Sequence, residues 1–202
     1  MFDRHIRPFI DPPLVRIAMM LSKTRLTPNG LTIIGMGFGI ACGISIGFGW
    51  PIMISFALLV LSRLADGLDG PLARVKGTAS DFGGFLDIEC DFVFYSAVPL
   101  GFAFADSTNA LPAACLFAGI LLTAVSHLAF AVHAEKRGLS EGSQANKSFF
   151  FIDGLAEGTE TIAVFTAMIL WPAGFPVLAY GYGAWCVLSA ISRTLSARSL
   201  FR

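Results

Sequence analysis

Between Leu26 and Ser62 the chain carries no charged side chain, a stretch too long for one membrane crossing and broken at Gly47, Phe48, Gly49, Trp50 and Pro51. Two apolar helices result. Lys and Arg are also missing between Lys76 and Lys136 and between Lys147 and Arg193. Only 14% of the 202 residues are charged, against about 25% in an ordinary soluble domain. With a mean hydropathy of +0.71, the chain belongs in lipid.

The apolar lengths predict an all-α membrane protein with six transmembrane helices, near 29–48, 52–75, 81–104, 110–135, 153–171 and 175–196. Residues 26–202 then form one six-span domain. Residues 1–25 precede it as an amphipathic helix at the membrane interface, the alternative being a helix docked on protein. Asp11 reads as its N-cap with Pro12 and Pro13 in the first turn, and Leu14, Ile17, Ala18 and Leu21 follow at helical spacing. No continuous apolar run marks a cleavable signal, so the first true span is expected to direct insertion.

The formal net charge of zero says nothing about partners, but the positions of the charges do. Six spans place both termini and the 74–81 and 137–148 loops on one side, with all Lys and Arg on or near it. The positive-inside tendency makes that side cytoplasmic. Cys42, Cys90, Cys115 and Cys186 lie in apolar runs without metal-ligand spacing and read as small packing residues.

The chemistry is concentrated between Asp66 and Asp91. Asp66 and Asp69 are three apart near the end of the second span, and Asp87 and Asp91 are four apart near the start of the third. Each pair shares a helix face, and a short connection lets the two faces meet as a four-carboxylate cup. Crowded carboxylates at low dielectric must be protonated, paired or bound to cations, and only Arg63, Arg74 and Lys76 lie nearby. Hard oxygen donors without adjacent His or Cys favour Mg2+ or Mn2+. Gly70, Ala73 and Gly83 leave the same faces bare, so a base and a diphosphate can approach, and Arg74 can meet phosphate oxygens. The alternative is glycine packing around a buried salt-bridge network, which would not need four acids against so few bases.

The pattern D-x2-D-G-x2-A-R-x8-G-x3-D-x3-D, filled by Asp66, Asp69, Gly70, Ala73, Arg74, Gly83, Asp87 and Asp91, resembles the signature of the CDP-alcohol phosphotransferase family. Thr27 to Thr32 also looks like the family's segment before the first span, and the closest likeness is to a bacterial inner-membrane branch. The resemblance implies two divalent ions, Mg2+ or Mn2+, one held by Asp66, Asp69 and Asp87 and the other by Asp66, Asp87 and Asp91. It makes Asp91 the catalytic base. It assigns Gly70, Arg74 and Ser80, with Asn29, Gly30, Leu31 and Thr32, to the CDP portion of the donor. The implied partners are CDP-diacylglycerol, a small polar alcohol, membrane lipid and a second copy in a homodimer, with no nucleic acid. The implied location is the bacterial inner membrane, with both termini cytoplasmic.

Relatives acting on phosphorylated polyols tend to carry a Y-V-R-A-R-A-E-like stretch ending the fourth span, where this chain has Ala131 and His133 at the arginine positions. That departure argues against a phosphorylated acceptor, although Lys136, Arg137, Lys147 and Arg193 remain on the cytoplasmic side. Glu157 and Glu160 are acids at membrane depth, suited to attract an amine-bearing or polyhydroxyl acceptor or to bond Thr159, Thr161 and His127. Two other classes place aspartates in membrane helices. An intramembrane prenyltransferase would not require the fitted Gly and Ala-Arg positions, and a divalent-cation transporter would hold its ligands nearer the midplane.

Overall fold

The computed structural model describes the backbone of residues 3–138 and 158–201, with side chains from Ile10 onward. Seven α-helices are described: α1 (Asp3–Leu21), α2 (Pro28–Gly47), α3 (Ile52–Lys76), α4 (Asp81–Ala105), α5 (Ala110–Lys136), α6 (Gly158–Leu170) and α7 (Phe175–Leu200). Short 3-10 turns at Ser107–Asn109 and Pro172–Gly174 lead into α5 and α7. The predicted 137–148 loop beyond Gly138, the start of the fifth span, Lys147 and Glu157 lie outside the described residues.

Local chemistry sets the boundaries. Thr27 caps α2 by accepting from the Gly30 amide at 3.1 Å, and Pro28 fits the first turn, where its missing N–H costs nothing. Gly49, at φ +65°, closes α2, and Pro51 prevents the chain from continuing it into α3. Gly77 ends α3 at the same φ, and Ser80 caps α4 by accepting from the Gly83 amide at 3.1 Å. The connection between these two helices is only residues 77–80.

Among the described residues, four stretches are long and apolar enough to cross a membrane: Pro28–Gly47, Asp81–Ala105, Ser107–Lys136 and Pro172–Leu200. Helix α3 has 25 residues, but Arg63, Asp66 and Asp69 interrupt its apolar run. Helix α6 has 13 described residues.

Helix α2 packs along both α3 and α4, and α5 packs along α7, while α4 against α5 and α6 against α3 and α7 join the two groups. Small residues set these crossings. A Cβ on Gly43 would collide with the Ala97 carbonyl, one on Gly101 with the Gly43 carbonyl, and one on Gly119 with the Gly183 backbone. In lipid, such close approach supplies the packing that apolar transfer cannot supply between helices. Polar contacts add to it, with Ser45 Oγ and Ser55 Oγ 2.7 Å apart and Ser62 donating to the Gly35 carbonyl at 2.8 Å. The main core stacks Phe102 on Phe175 at 4.2 Å and packs Phe94 against Phe165 at 5.6 Å.

Three expectations are corrected. Helix α1 starts at Asp3 and runs through Pro12 and Pro13, so Asp11 is not its cap. Proline's fixed φ is helical, and the lost hydrogen bonds are offset where Leu14, Ala18 and Leu21 dock against Ala65, Leu68 and Leu72 of α3. Ile17, expected on the same face, is exposed, as are Met19 and Met20. Among the cysteines, Cys42, Cys90 and Cys186 are buried, but Cys115 is exposed on α5.

Candidate active site

The α3–α4 hairpin carries all four motif aspartates, and the start of α2 closes beside it. Thr32 Oγ1 donates to Asp69 Oδ2 at 2.6 Å, burying Asp69 to 8% exposure. A Cβ on Gly83 would stand 3.4 Å from Asn29 Oδ1 and from Ser80 Oγ, so the N-termini of α2 and α4 lie side by side. On α3, Lys76 Nζ donates to the carbonyls of Thr24 and Leu26 at 2.9 and 2.7 Å, tying this end to the segment before α2.

Arg63, named from the sequence only as a nearby base, sits inside the site. Its Nη1 donates to Asp91 Oδ1 at 2.7 Å and lies 3.6 Å from Asp66 Oδ2, bridging α3 to α4. Its Nη2 donates to Ser62 Oγ at 3.2 Å, and the guanidinium carbon sits 3.9 Å from the centre of the Phe94 ring. The signal was its helical register, because Arg63, Asp66 and Gly70 recur at i, i+3 and i+7 on one face.

The expected cup is only partly formed. Asp66 feels the charges of Asp91 and Asp87, and Asp87 those of Asp69 and Asp91, so the four acids share one electrostatic neighbourhood. Among the described residues, however, no three Asp, Glu, His or Cys side chains converge on a formed ion site. Like charges separate unless a cation gathers them, and here Arg63 and Thr32 hold two of the carboxylates.

The donor set nevertheless fits Mg2+ or Mn2+. It consists of carboxylate oxygens on two facing helices beside open backbone: among the described residues a Cβ on Gly84 would meet nothing within 4 Å, and one on Gly70 only Arg74 Nη1 at 3.5 Å. That space suits a phosphate-bearing ligand. Arg74 is exposed next to it, and Ser80 stands at the α4 N-terminus, whose amides favour anions.

Other expected residues divide. The Gly30 amide is used by the Thr27 cap, and Leu31 is buried among Ala18, Leu68 and Leu72, where its side chain packs. Thr161 pairs with Tyr182 at 2.7 Å, with Glu160 near Tyr182, whereas His127 is exposed on α5. Ala131 and His133 are exposed, and His133 packs against Phe201 at 5.8 Å. Arg137 donates to the carbonyls of Leu200 and Phe201 at 3.2 and 2.6 Å, which commits it to the C-terminal end of α7. Arg193 is buried and donates to the Thr123 carbonyl and to Ser126 Oγ at 2.9 and 2.7 Å.

The CDP-alcohol phosphatidyltransferase profile matches residues 25–194. The inner membrane protein YnjF of Escherichia coli is 41% identical over 197 residues, covering 97% of this chain and 95% of its own. Two crystal structures of the Mycobacterium tuberculosis phosphatidylinositol phosphate synthase PgsA1 share the fold. The complex with manganese and citrate has a TM-score of 0.66 at 20% identity, covering 92% of this chain and 89% of that one. The structure with CDP-DAG bound has a TM-score of 0.63 at 22% identity, covering 91% and 92%. The chain belongs to the CDP-alcohol phosphatidyltransferase family and is an enzyme of that class.

Proposed function

We propose that this protein transfers a phosphatidyl group from CDP-diacylglycerol to a small polar alcohol, releasing CMP. The observation that carries the reading is that the four motif aspartates lie on one α3–α4 hairpin, with the start of α2 bonded to Asp69 and open glycine backbone beside them. The CDP-DAG and manganese named for the two PgsA1 structures support it.

In this reading Asp66, Asp69 and Asp87 hold one divalent ion, and Asp66, Asp87 and Asp91 hold a second, Mg2+ or Mn2+. Such ions, when bound, neutralise the diphosphate and stabilise the attacking and leaving oxygens. Asn29, Gly30, Thr32, Gly70, Arg74 and Ser80 receive the CDP portion, with Leu31 seating the segment by packing. Asp91 takes the proton from the acceptor hydroxyl. The acceptor oxygen bonds to the lipid-bearing phosphorus, the bridging P–O bond of the diphosphate breaks, and CMP leaves. Arg63 holds Asp91 through a 2.7 Å ion pair, so that carboxylate acts by its position.

The acceptor is a neutral or amine-bearing alcohol. Ala131 and His133 supply no guanidinium, and Arg137 is committed to the end of α7. Thr161 and Tyr182 pair at 2.7 Å with Glu160 near Tyr182, a polar group that a neutral or amine-bearing acceptor can use.

The whole assembly is a multi-pass protein of a bacterial inner membrane and a homodimer. Helix α3 and the segment ending in α6 complete six spans within residues 26–202, both termini are cytoplasmic, and residues 1–25 lie at the interface. The inner-membrane relative and the exposed apolar faces support that placement.

Purified protein in lipid nanodiscs, given CDP-diacylglycerol, Mn2+ and a panel of alcohols, should release CMP and yield one lipid product identifiable by mass. A prenyltransferase or cation transporter would release none, and metal-independent or absent CMP release with every acceptor would sink the proposal.

A further inference from the structure

Arg63 has features that a simple counter-ion for buried acids does not require. Its side chain is 10% exposed, its Nε is buried without a hydrogen-bond partner among the described residues, and its Nη1 serves Asp91 and faces Asp66. Burying a guanidinium with an unsatisfied donor is costly, so the position of its charge is held at the expense of local stability. The hold is rigid: the Phe94 ring, fully buried, lies beneath the guanidinium, and Ser62 anchors Nη2 while itself bonded to α2. An arginine cannot shed its proton in a protein, so this charge is permanent.

The oxygen inventory then becomes unequal. Thr32 occupies Asp69 Oδ2, but a neutral hydroxyl leaves that carboxylate attractive to a cation. Arg63 occupies Asp91 Oδ1 with a full positive charge and faces Asp66 Oδ2. Among the described residues Arg63 forms its ion pairs with Asp91 and Asp66, while Asp69 and Asp87 feel its charge only at longer range. An ion ligated by Asp66, Asp87 and Asp91 must share two of its three carboxylates with the guanidinium.

We infer that Arg63 is a positioning residue that makes the two ion positions unequal, an inference that rests on the proposed metal-dependent reading. The donor-free enzyme binds one divalent ion tightly on the Asp69–Asp87 side. The second position stays weak until a donor diphosphate adds its own negative charge. Arg63 also fixes which oxygen of Asp91 is available, leaving Oδ2 to accept the proton.

The test is a Mn2+ titration of the full chain in nanodiscs, read by electron paramagnetic resonance and by bound-metal analysis. Wild type should take up one ion with the hyperfine pattern of an isolated Mn2+, and a second, spin-coupled ion only at much higher concentration. Arg63→Gln should bind the second ion on the order of ten- to a hundredfold more tightly, the equivalent of one lost charge-assisted hydrogen bond. Arg63→Lys, which keeps the charge, should resemble wild type. A wild-type protein that binds a coupled pair with equal affinity overturns the inference on its own, whether or not either variant folds. So does an Arg63→Gln protein whose second site is no tighter. Absence of any bound Mn2+ in wild type would overturn it together with the reading beneath it.

Discussion

The Thr32 hydroxyl and the Asp69 carboxylate are joined across 2.6 Å, locking the beginning of α2 to the acidic face of α3. Groups that orient a metal ligand commonly govern affinity by 10–100-fold on mutation, an order of magnitude that applies here. Thr32→Val, which keeps the shape and removes the donor, should weaken Mn2+ binding by about that factor, and Thr32→Ser should restore it. Equal Mn2+ affinity in all three proteins, by calorimetry, would separate Thr32 from the metal position.

Asp91→Asn should abolish turnover, by a factor of about 100–10,000 if it removes only the base, while CDP-diacylglycerol binding stays substantially intact. Asp66→Asn should damage binding and turnover together, since Asp66 is assigned to both ions. Near-normal CMP release from Asp91→Asn would move the base elsewhere.

Gly101→Val should destabilise the protein by about 1–3 kcal/mol, because its Cβ would enter the Gly43 carbonyl and drive α2 from α4. Gly37→Ala is the matched control, since a Cβ there meets nothing within 4 Å among the described residues. Thermal unfolding in detergent should lower the midpoint for the first and leave the second unchanged or slightly raised.

With the four native cysteines replaced, a probe at Ala79→Cys should react only from the cytoplasmic side and one at Ser107→Cys only from outside. Both positions are exposed, so accessibility reports side and not burial. The reverse pattern would overturn the topology and the cytoplasmic position of the site.

Arginine at both Ala131 and His133 should not improve the native reaction if the acceptor is neutral or amine-bearing. With a phosphorylated polyol, each new arginine would add a charge-assisted bond of about 1.5–3 kcal/mol and lower the apparent KM. Assays with glycerol 3-phosphate, inositol phosphate, serine and glycerol at one metal concentration decide it. Strong wild-type preference for either phosphate would defeat the argument from the missing arginines.

Most helix limits were legible because their chemistry is local. Thr27 with Pro28, Pro51 and Ser80 declare starts within one turn of themselves. The carboxylate faces followed from spacings of three and four. The start of α1 was not legible, because docking on α3 decides whether a helix can run through Pro12 and Pro13. Nor was the Arg63–Asp91 pair, since helical spacing gives the face a residue shares but not the rotation that points one helix at another. The incomplete convergence of the acids had the same origin.

The short connection at residues 77–80 also determines when the site can assemble. Asp66 to Asp91 lie on a single hairpin, so bringing their helices together closes a very small loop and costs little chain entropy. During synthesis α2, α3 and α4 leave the ribosome before any of α5 to α7. The polar interior can therefore be paired, Arg63 with Asp91 and Thr32 with Asp69, before the second half of the chain exists. Charges that would resist entering lipid singly enter already neutralised by their neighbours.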